Sequence, residues 1–200
     1  MLQKRGAFIV IEGLDGSGKT TQARLLVAKL NRSHNAVYTA EPSRGKIGTF
    51  IRDICLYSEK RLSASAEALL FAADRGEHVE NEIKPALAKG NLVICDRYIY
   101  SSLAYQGSAG LSLEWIEAIN SQALRPDLAV FIDVNPKTVL KRLNRRKSVM
   151  ENLETQQKVR DVYLQFVERG CLLRIDGNGS LEKVAEELST VVLKFLKTLE

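Results

Sequence analysis

The segment Gly13–Thr20 constrains the fold of this chain more than any other, because it reads GLDGSGKT and matches the pattern G-x-x-x-x-G-K-S/T. An apolar run, Ala7–Ile11, precedes it, and an amphipathic helical pattern, Lys19–Asn31, follows it. Glycines let successive backbone N–H groups curl around an anion, and the start of a helix adds positive charge at the same place. The segment is therefore predicted to be a phosphate-binding loop (a P-loop) between the first strand and the first helix.

Short apolar runs alternate with longer amphipathic ones along the rest of the chain. Four more runs are predicted strands: Ala36–Ala40, Leu92–Cys95, Leu128–Ile132 and Cys171–Ile175. Helical patterns lie between and after them: Ser65–Lys89, Leu113–Leu124, Pro136–Leu143, Leu153–Glu168 and Leu181–Leu199. All five strand runs are apolar throughout, which is typical of a parallel sheet covered on both faces. The expected fold is therefore α/β: a P-loop NTPase with three α/β/α layers and a five-stranded parallel sheet.

Length and charge limit the classes of protein that fit. Two hundred residues suit one domain, and no apolar run approaches the roughly 20 residues of a membrane span. The basic N-terminus lacks the apolar core of a signal peptide, so a cytoplasmic protein that does not bind membranes is expected. A net charge of +5 favours an anionic partner. The basic residues are scattered rather than interleaved with aromatic ones, which argues against a nucleic-acid polymer.

The cysteines and histidines give no sign of a metal site. Cys55, Cys95 and Cys171 are odd in number, far apart and set among apolar residues, so buried reduced thiols are expected. His34 and His78 stand alone among charged or polar residues and are expected at the surface. No zinc site or disulfide is therefore predicted.

Two residue types in the loop indicate a nucleoside triphosphate with magnesium. Lys19 supplies a mobile positive charge for the β- and γ-phosphates, and the Thr20 hydroxyl can bind Mg²⁺. A second carboxylate belongs at the carboxyl end of an apolar strand, where Asp96 and Asp133 both qualify. Asp96 is preferred because Arg97 follows it, and such a pair can organise magnesium-bound water and clamp a phosphate. The loop alone leaves the reaction open, since GTPases, motors and kinases share it.

Further stretches along the chain form a specific combination with the loop. The run Phe8–Gln22 is followed at matching spacings by Glu41-Pro42, Asp96-Arg97-Tyr98, Ser101, Ala104-Tyr105-Gln106-Gly107, Arg125-Pro126-Asp127-Leu128 and Asp176-Gly177. In these stretches the chain resembles the thymidylate kinase family over nearly its whole length. The resemblance implies transfer of the γ-phosphate of ATP to dTMP, giving ADP and dTDP on the way to dTTP. It also implies Mg²⁺ as cofactor and a homodimer.

The resemblance assigns a role to individual residues. The implied ATP-binding residues are Gly13, Leu14, Asp15, Gly16, Ser17, Gly18, Lys19, Thr20, Thr21 and Arg142. The implied acceptor-binding residues are Asp15, Phe71, Arg75, Arg97, Ser101, Tyr105 and Gln106. The implied catalytic residues are Lys19, Arg97, Asp15, Asp96 and Arg146, and the implied metal-binding residues are Thr20 and Asp96.

Within the implied acceptor site, each side chain would meet a different part of the nucleotide. Phe71 would stack on thymine, and Arg75, four residues later on the same helix face, would donate to a base carbonyl. Asp15 would accept a hydrogen bond from the 3′-hydroxyl, Arg97 would hold the acceptor phosphate, and Tyr105 would crowd the 2′ position, which favours deoxyribose.

A small lid over ATP is expected at about residues 142–152 of a single domain spanning residues 1–200. Arg142 is similar to a lid arginine that packs on adenine. Some members of the family carry a basic residue at the position of Gly16, whereas this chain has its basic residues at 145–147. It therefore resembles the members whose compensating charge lies in the lid.

Other functions fit parts of the same sequence. A kinase for another nucleotide or for a deoxynucleoside would share most of these residues. A P-loop ATPase or GTPase that acts as a binding module is a different class, although no Asn-Lys-x-Asp segment of the kind that reads guanine occurs here. A basic nucleic-acid-binding protein with ATP affinity would require tight, salt-sensitive binding of polymer.

Overall fold

The computed structural model describes residues 6–56, 62–142 and 152–199. Its strands are β1 (Ala7–Gly13), β2 (Ala36–Ala40), β3 (Leu92–Asp96), β4 (Leu128–Asp133) and β5 (Leu173–Asp176). Its helices are α1 (Lys19–Leu30), α2 (Lys46–Ile51), α3 (Ala64–His78), α4 (Lys84–Ala88), α5 (Ile99–Ser108), α6 (Leu113–Ile119), α7 (Pro136–Arg142), α8 (Leu153–Glu168) and α9 (Leu181–Lys197). Two π-helical turns follow α2 and α3, at Arg52–Leu56 and Val79–Ile83.

The five strands form one parallel sheet in the order β2-β3-β1-β4-β5, which confirms the predicted fold class. The central strand β1 pairs with β3 from Ala7 opposite Leu92 to Ile11 opposite Asp96. On its other side β1 pairs with β4. Because parallel strands end at the same edge, the loop after β1 lies beside Asp96.

Helices cover the sheet in two groups. The crossover through α1 leads from β1 toward β2, whereas the crossover through α5 leads from β3 across β1 to β4. Right-handed crossovers that run in opposite directions place their helices on opposite faces of a sheet. Helix α1 packs against α9, and α5 packs against α8. All residues of β1, β3 and β4 are consequently buried.

Strand β5 departs from the prediction that all five strands are covered on both faces. It begins at Leu173 rather than Cys171, and of its four residues only Ile175 is buried. Its position explains the difference, because β5 is an edge strand with a neighbour on one side only.

Several helices also differ from the predicted ones. The pattern Ser65–Lys89 covers α3, a π-helical turn and α4, and the pattern from Leu113 ends at Ile119. Helices α2 and α5 were not predicted. Helix α5 lacks a clear polar face because it packs among β1, α3, α6 and α8. Its amphipathic signal is weak for that reason.

Two predictions about burial are wrong. Cys55 and Cys95 are buried as expected, but Cys171 is exposed because it lies in the turn after α8, next to Gly170 with φ 73°. His78 is buried instead of lying at the surface, since its ring contacts Glu41 and Thr39 inside the protein.

Helices long and apolar enough to cross a membrane are absent from the part of the chain that the structure describes.

Candidate active site

The loop between β1 and α1 has the closed shape that a phosphate requires. The backbone N–H of Ser17 donates to the carbonyl of Leu14 at 3.1 Å, which closes the turn. Gly18 has φ 89°, a left-handed conformation that glycine adopts without strain. A Cβ on Gly13 would lie 2.9 Å from the carbonyl oxygen of Ile132 in the neighbouring strand. The predicted ATP-binding residues Gly13–Thr20 therefore lie together in one tight turn at the carboxyl edge of the sheet.

Lys19 lies buried under this loop. Its ammonium donates to the carbonyl of Leu14 at 2.7 Å. Burial lowers the pKa of Lys19 to about 8, and the nearby charge of Arg97 acts in the same direction. A cation removed from water in this way attracts an incoming phosphate more strongly than a solvated one does.

Thr20 and Asp96 meet at the start of α1. The Thr20 hydroxyl donates to Asp96 Oδ2 at 2.5 Å. The other carboxylate oxygen, Asp96 Oδ1, is buried and has no hydrogen-bond partner among the described residues. A buried carboxylate oxygen without a partner keeps unused acceptor capacity, which a cation or water bound to one would satisfy. The hydroxyl and the carboxylate thus have the oxygen chemistry that Mg²⁺ prefers.

The competing carboxylate, Asp133, has both oxygens occupied by protein. Arg160 Nε lies 2.6 Å from its Oδ1, and Arg174 Nη2 lies 2.7 Å from its Oδ2. Asp133 therefore joins α8 and β5 to the end of β4 instead of facing the phosphate-binding loop.

Arg97 projects from the tip of β3 toward the loop. Its Nη2 forms an ion pair with Asp15 Oδ1 at 2.5 Å, and its Nη1 donates to Ser101 Oγ at 3.0 Å. Tyr105 donates to the second oxygen of Asp15 at 3.0 Å. Burial acts to raise the pKa of Asp15, but the charges of Arg97 and Lys19 hold that pKa below its ordinary value. Asp15 therefore carries a negative charge that links the loop to Arg97.

Glu12, which the sequence analysis did not select, organises the residues around Arg97. Its carboxylate accepts hydrogen bonds from the backbone N–H groups of Tyr98 and Ser101, at 2.9 and 3.2 Å. The hydroxyls of Ser101 and Tyr163 also donate to it, at 2.6 and 2.9 Å. Burial raises the pKa of Glu12, although these hydrogen bonds act against that shift. Its signal in the sequence was an acidic residue directly after five apolar residues of a strand.

A cavity opens beside this cluster and collects the residues predicted to bind the acceptor. Seven predicted residues line it: Asp15, Phe71, Arg75, Arg97, Ser101, Tyr105 and Gln106. Six further residues that were not predicted also line it: Glu41, Pro42, Cys55, Glu67, Tyr98 and Ser102. Of the latter group, Glu41-Pro42 had been noticed as a motif without an assigned role. The cavity shares Asp15 with the loop, so the two sites adjoin.

Arg75 contributes a buried cation to the cavity wall. Arg75 Nη2 lies 2.7 Å from Glu41 Oε2 and donates to Ser102 Oγ at 3.0 Å. Its Nη1 donates to Asn120 Oδ1. Gln106 Oε1 is buried and has no hydrogen-bond partner in the described ranges, so it remains an acceptor for a ligand.

Some predicted residues lie apart from this cluster. Thr21 is exposed on α1 and Arg142 is exposed at the end of α7. Arg146 and the rest of the predicted lid between Arg142 and Asn152 lie outside the described residues. The loop after β5 lies near β4, because Asn178 Oδ1 accepts a hydrogen bond from the backbone N–H of Asn135 at 3.0 Å.

Comparison with known proteins gives one consistent result. A sequence model of the family described as thymidylate kinase matches residues 11–188. The chain is similar to a probable thymidylate kinase of Pyrococcus abyssi, with 48% identity over 197 residues that cover 94% of this chain and 96% of the relative. A probable thymidylate kinase of Thermococcus kodakarensis is 46% identical over 203 residues, with 96% and 98% of the two chains covered. One of Staphylothermus marinus is 40% identical over 200 residues, covering 98% and 99%.

Proposed function

Because the chain belongs to the thymidylate kinase family, we propose that its loop and its cavity together transfer the γ-phosphate of ATP to dTMP, giving ADP and dTDP. The observation that carries this proposal is the pair formed by Asp15 and Arg97. One partner belongs to the phosphate-binding loop and the other to the cavity wall, and they are in direct contact. A donor phosphate and an acceptor phosphate held by these neighbouring groups lie close enough for direct transfer.

On the donor side, the backbone N–H groups of the loop hold the triphosphate together with Lys19. The buried ammonium of Lys19 moves from the Leu14 carbonyl to the β- and γ-phosphates. Thr21 and Arg142 bind farther along the nucleotide, with Arg142 on adenine. Arg146 of the lid supplies a further charge at the transferred phosphate.

On the acceptor side, Arg97 binds the phosphate of dTMP and neutralises charge that develops during transfer. Asp15 and Tyr105 face the sugar, where their mutual hydrogen bond of 3.0 Å supports a site for the 3′-hydroxyl next to a blocked 2′ position. Phe71 stacks on the base. Ser101 and Gln106 complete the wall near the base, with Gln106 Oε1 as an acceptor.

Thr20 and Asp96 are the residues that would hold magnesium. The unpartnered Asp96 Oδ1 and the Thr20 hydroxyl would hold the ion or its bound waters, with ATP oxygens as the remaining ligands. The ion supplies neutralisation of charge on the β- and γ-phosphates.

The proposed enzyme is a single kinase domain of residues 1–200 that works as a homodimer in the cytoplasm. Its basic lid residues at 145–147 compensate for the neutral Gly16 in the loop. ATP, dTMP and a second copy of the chain are its partners, whereas a nucleic-acid polymer and a membrane are not.

A panel of acceptors tests the proposal directly. The purified protein with ATP and Mg²⁺ is assayed against dTMP, dUMP, dCMP and unphosphorylated thymidine, with ADP formation coupled to NADH oxidation. We expect the highest kcat/KM for dTMP and only slow ATP hydrolysis without an acceptor. Faster phosphorylation of dCMP or thymidine would contradict the choice of dTMP, and equal ATP consumption without any acceptor would favour an ATPase module.

A further inference from the structure

Arg75, which is expected to contact the base, belongs to a buried network whose other two members have no role in the function proposed above. It consists of Arg75, Glu41 and His78, which are each at most 6% exposed. Arg75 and His78 lie three residues apart, so they share one face of α3. Both contact Glu41, which directly follows β2.

The hydrogen bonds of Arg75 fix the plane of its guanidinium. Glu41, Ser102 and Asn120 accept from its two terminal nitrogens. A guanidinium carries five N–H donors, so these three bonds leave two unused. One of the two is on Nε, which is buried and has no partner among the residues that the structure describes. Arg75 is thus held on one side by protein and keeps donors for a ligand.

Glu41 compensates the charge of Arg75. A buried guanidinium without an anion is costly, and Glu41 is the carboxylate in contact with it, at 2.7 Å. The side chain of Glu41 is itself only 4% exposed, so its second oxygen also needs a partner.

His78 provides that partner. Its Nδ1 lies 3.2 Å from Glu41 Oε1, and its Nε2 lies 2.6 Å from Thr39 Oγ1. Because a carboxylate only accepts hydrogen bonds, Nδ1 carries the proton and donates to Glu41. A hydrogen bond between Nε2 and the Thr39 hydroxyl fixes the ring from its other side. His78 thereby holds the carboxylate that holds Arg75.

We propose that Glu41 and His78 are positioning residues that make the acceptor site selective for a pyrimidine with a carbonyl group at position 4. They act through Arg75, and the proposal rests on the proposed binding of dTMP in this cavity. Donors that are held in place bind a carbonyl oxygen at position 4 favourably. They bind cytosine less well, because its amino group at that position would leave the donors unpaired. If Arg75 is free to turn, the difference in affinity between the two bases decreases.

Four variants test the proposal by separating selectivity from general damage. Glu41→Gln removes the charge, and His78→Leu removes the donor to Glu41. His78→Asn restores an N–H donor near the position of Nδ1. Glu82→Gln is the matched control, because Glu82 lies 3.6 Å from His78 Nε2 at an exposed position and does not line the cavity. Circular dichroism and thermal melting identify variants that do not fold.

For each folded variant, kcat and KM are measured with dTMP and with dCMP at saturating ATP, and KM for ATP is measured at saturating dTMP. Glu41→Gln and His78→Leu should raise KM for dTMP about tenfold and lower the dTMP-to-dCMP ratio of kcat/KM about tenfold. The KM for ATP should change less than about twofold. His78→Asn and Glu82→Gln should keep the selectivity of the original protein.

The proposal would be overturned if kcat/KM fell equally for dTMP and dCMP. It would also be overturned if His78→Leu and His78→Asn had the same selectivity. Either result would leave the network a purely structural role. If Glu41→Gln does not fold, the two His78 variants decide the question between them. A lack of dTMP phosphorylation by the original protein would instead contradict the proposed function itself.

Discussion

At the scale of single residues, the backbone of Arg97 stands out. Its φ of 72° makes it the only non-glycine residue with positive φ in the described ranges. This left-handed conformation costs a residue with a Cβ roughly 1–2 kcal/mol. The surrounding contacts hold it there, since the N–H of Arg97 donates to Ile11 and the next N–H, of Tyr98, donates to Glu12. This backbone conformation directs the guanidinium of Arg97 toward Asp15 in the loop.

We expect Arg97→Ala and Arg97→Gly to differ in stability but not in activity. Both should lose at least about 2.7 kcal/mol of transition-state stabilisation, a hundredfold or more in kcat, because the phosphate clamp is gone. Arg97→Gly should be about 1 kcal/mol more stable than Arg97→Ala, since glycine adopts this φ without strain. Steady-state kinetics and urea unfolding measure the two effects. Near-normal turnover of either variant would remove Arg97 from the mechanism, and equal stabilities would contradict the strain.

The lowered pKa of Lys19 leads to a prediction about how ATP binding depends on pH. With its pKa lowered to about 8, the free protein loses the loop cation as the pH rises through 8. Bound triphosphate favours the charged form, so binding at pH 8 should take up about half a proton. Above pH 8 the dissociation constant for ATP should increase by up to about tenfold per pH unit, and below pH 7 this dependence should be absent. Calorimetry in two buffers of different ionisation enthalpy measures the proton uptake; zero uptake at pH 8 would contradict the lowered pKa.

At the scale of elements, Asp133 joins three of them. It ends β4 and forms ion pairs with Arg160 of α8 and Arg174 of β5. Its own side chain is 2% exposed, whereas those of the arginines are 24% and 51% exposed, so solvent weakens the pairs. Asp133 and Asp96 end strands at the same sheet edge, and yet Asp133 holds neighbouring elements together whereas Asp96 is the proposed metal ligand.

The variants Asp133→Asn and Asp96→Asn should separate these two roles. Asp133→Asn leaves two arginines without their anion and should lower stability by about 2 kcal/mol, a melting shift of roughly 4–8 °C. Its Mg²⁺ requirement should stay the same. Asp96→Asn should instead raise the Mg²⁺ concentration for half-maximal activity by tenfold or so. Thermal melting measures the change in stability, and Mg²⁺ titrations of activity measure the change in metal requirement. An unchanged Mg²⁺ requirement in Asp96→Asn would contradict the proposed metal role of Asp96.

Periodicity and one motif predicted most of the elements, but not the contacts that depend on distant parts of the chain. The residue before helix α5, Tyr98, provides no side-chain cap. Instead, Glu12 of β1 accepts hydrogen bonds from the N–H groups of Tyr98 and Ser101. His78 reads as a polar surface residue, yet Glu41 and Thr39 satisfy both ring nitrogens in the interior. Local pattern carries no information about such partners.

The residues proposed to bind the acceptor were predictable for a different reason. Phe71, Tyr105 and Gln106 belong to stretches that resemble a family, and all three line the cavity. Ser102 and Asn120, which hold Arg75, belong to no stretch whose role was inferred. Both residues were identified by their hydrogen bonds to Arg75, and substrate chemistry alone does not indicate such contacts.

At the scale of the whole molecule, apolar side chains are exposed around two adjacent helices. Phe50 of α2 and Leu69 of α3 are 48% and 51% exposed, and Leu62 precedes α3 with 38% exposure. Helices α2 and α3 pack against each other. An apolar area on neighbouring helices suits a two-fold interface between identical chains. The opposite face of α3 carries Arg75, so this interface would support the acceptor cavity from behind.

The double variant Phe50→Glu and Leu69→Glu should convert the proposed homodimer into monomers. Burying two carboxylates in an apolar interface costs several kcal/mol, which exceeds a typical margin at micromolar concentration. Leu199→Glu, at an exposed leucine beyond α9, is the control and should remain dimeric. Sedimentation velocity distinguishes the states. A monomeric original protein would contradict the homodimer, and a dimeric double variant would place the interface elsewhere.

The ion pair of Asp15 and Arg97 joins the phosphate-binding loop to the wall of the acceptor cavity. A nucleotide that separates the two side chains when it binds on one side would leave them already separated for the nucleotide on the other side. The two nucleotides should consequently bind with reciprocal synergy, each tightening the other by the same factor.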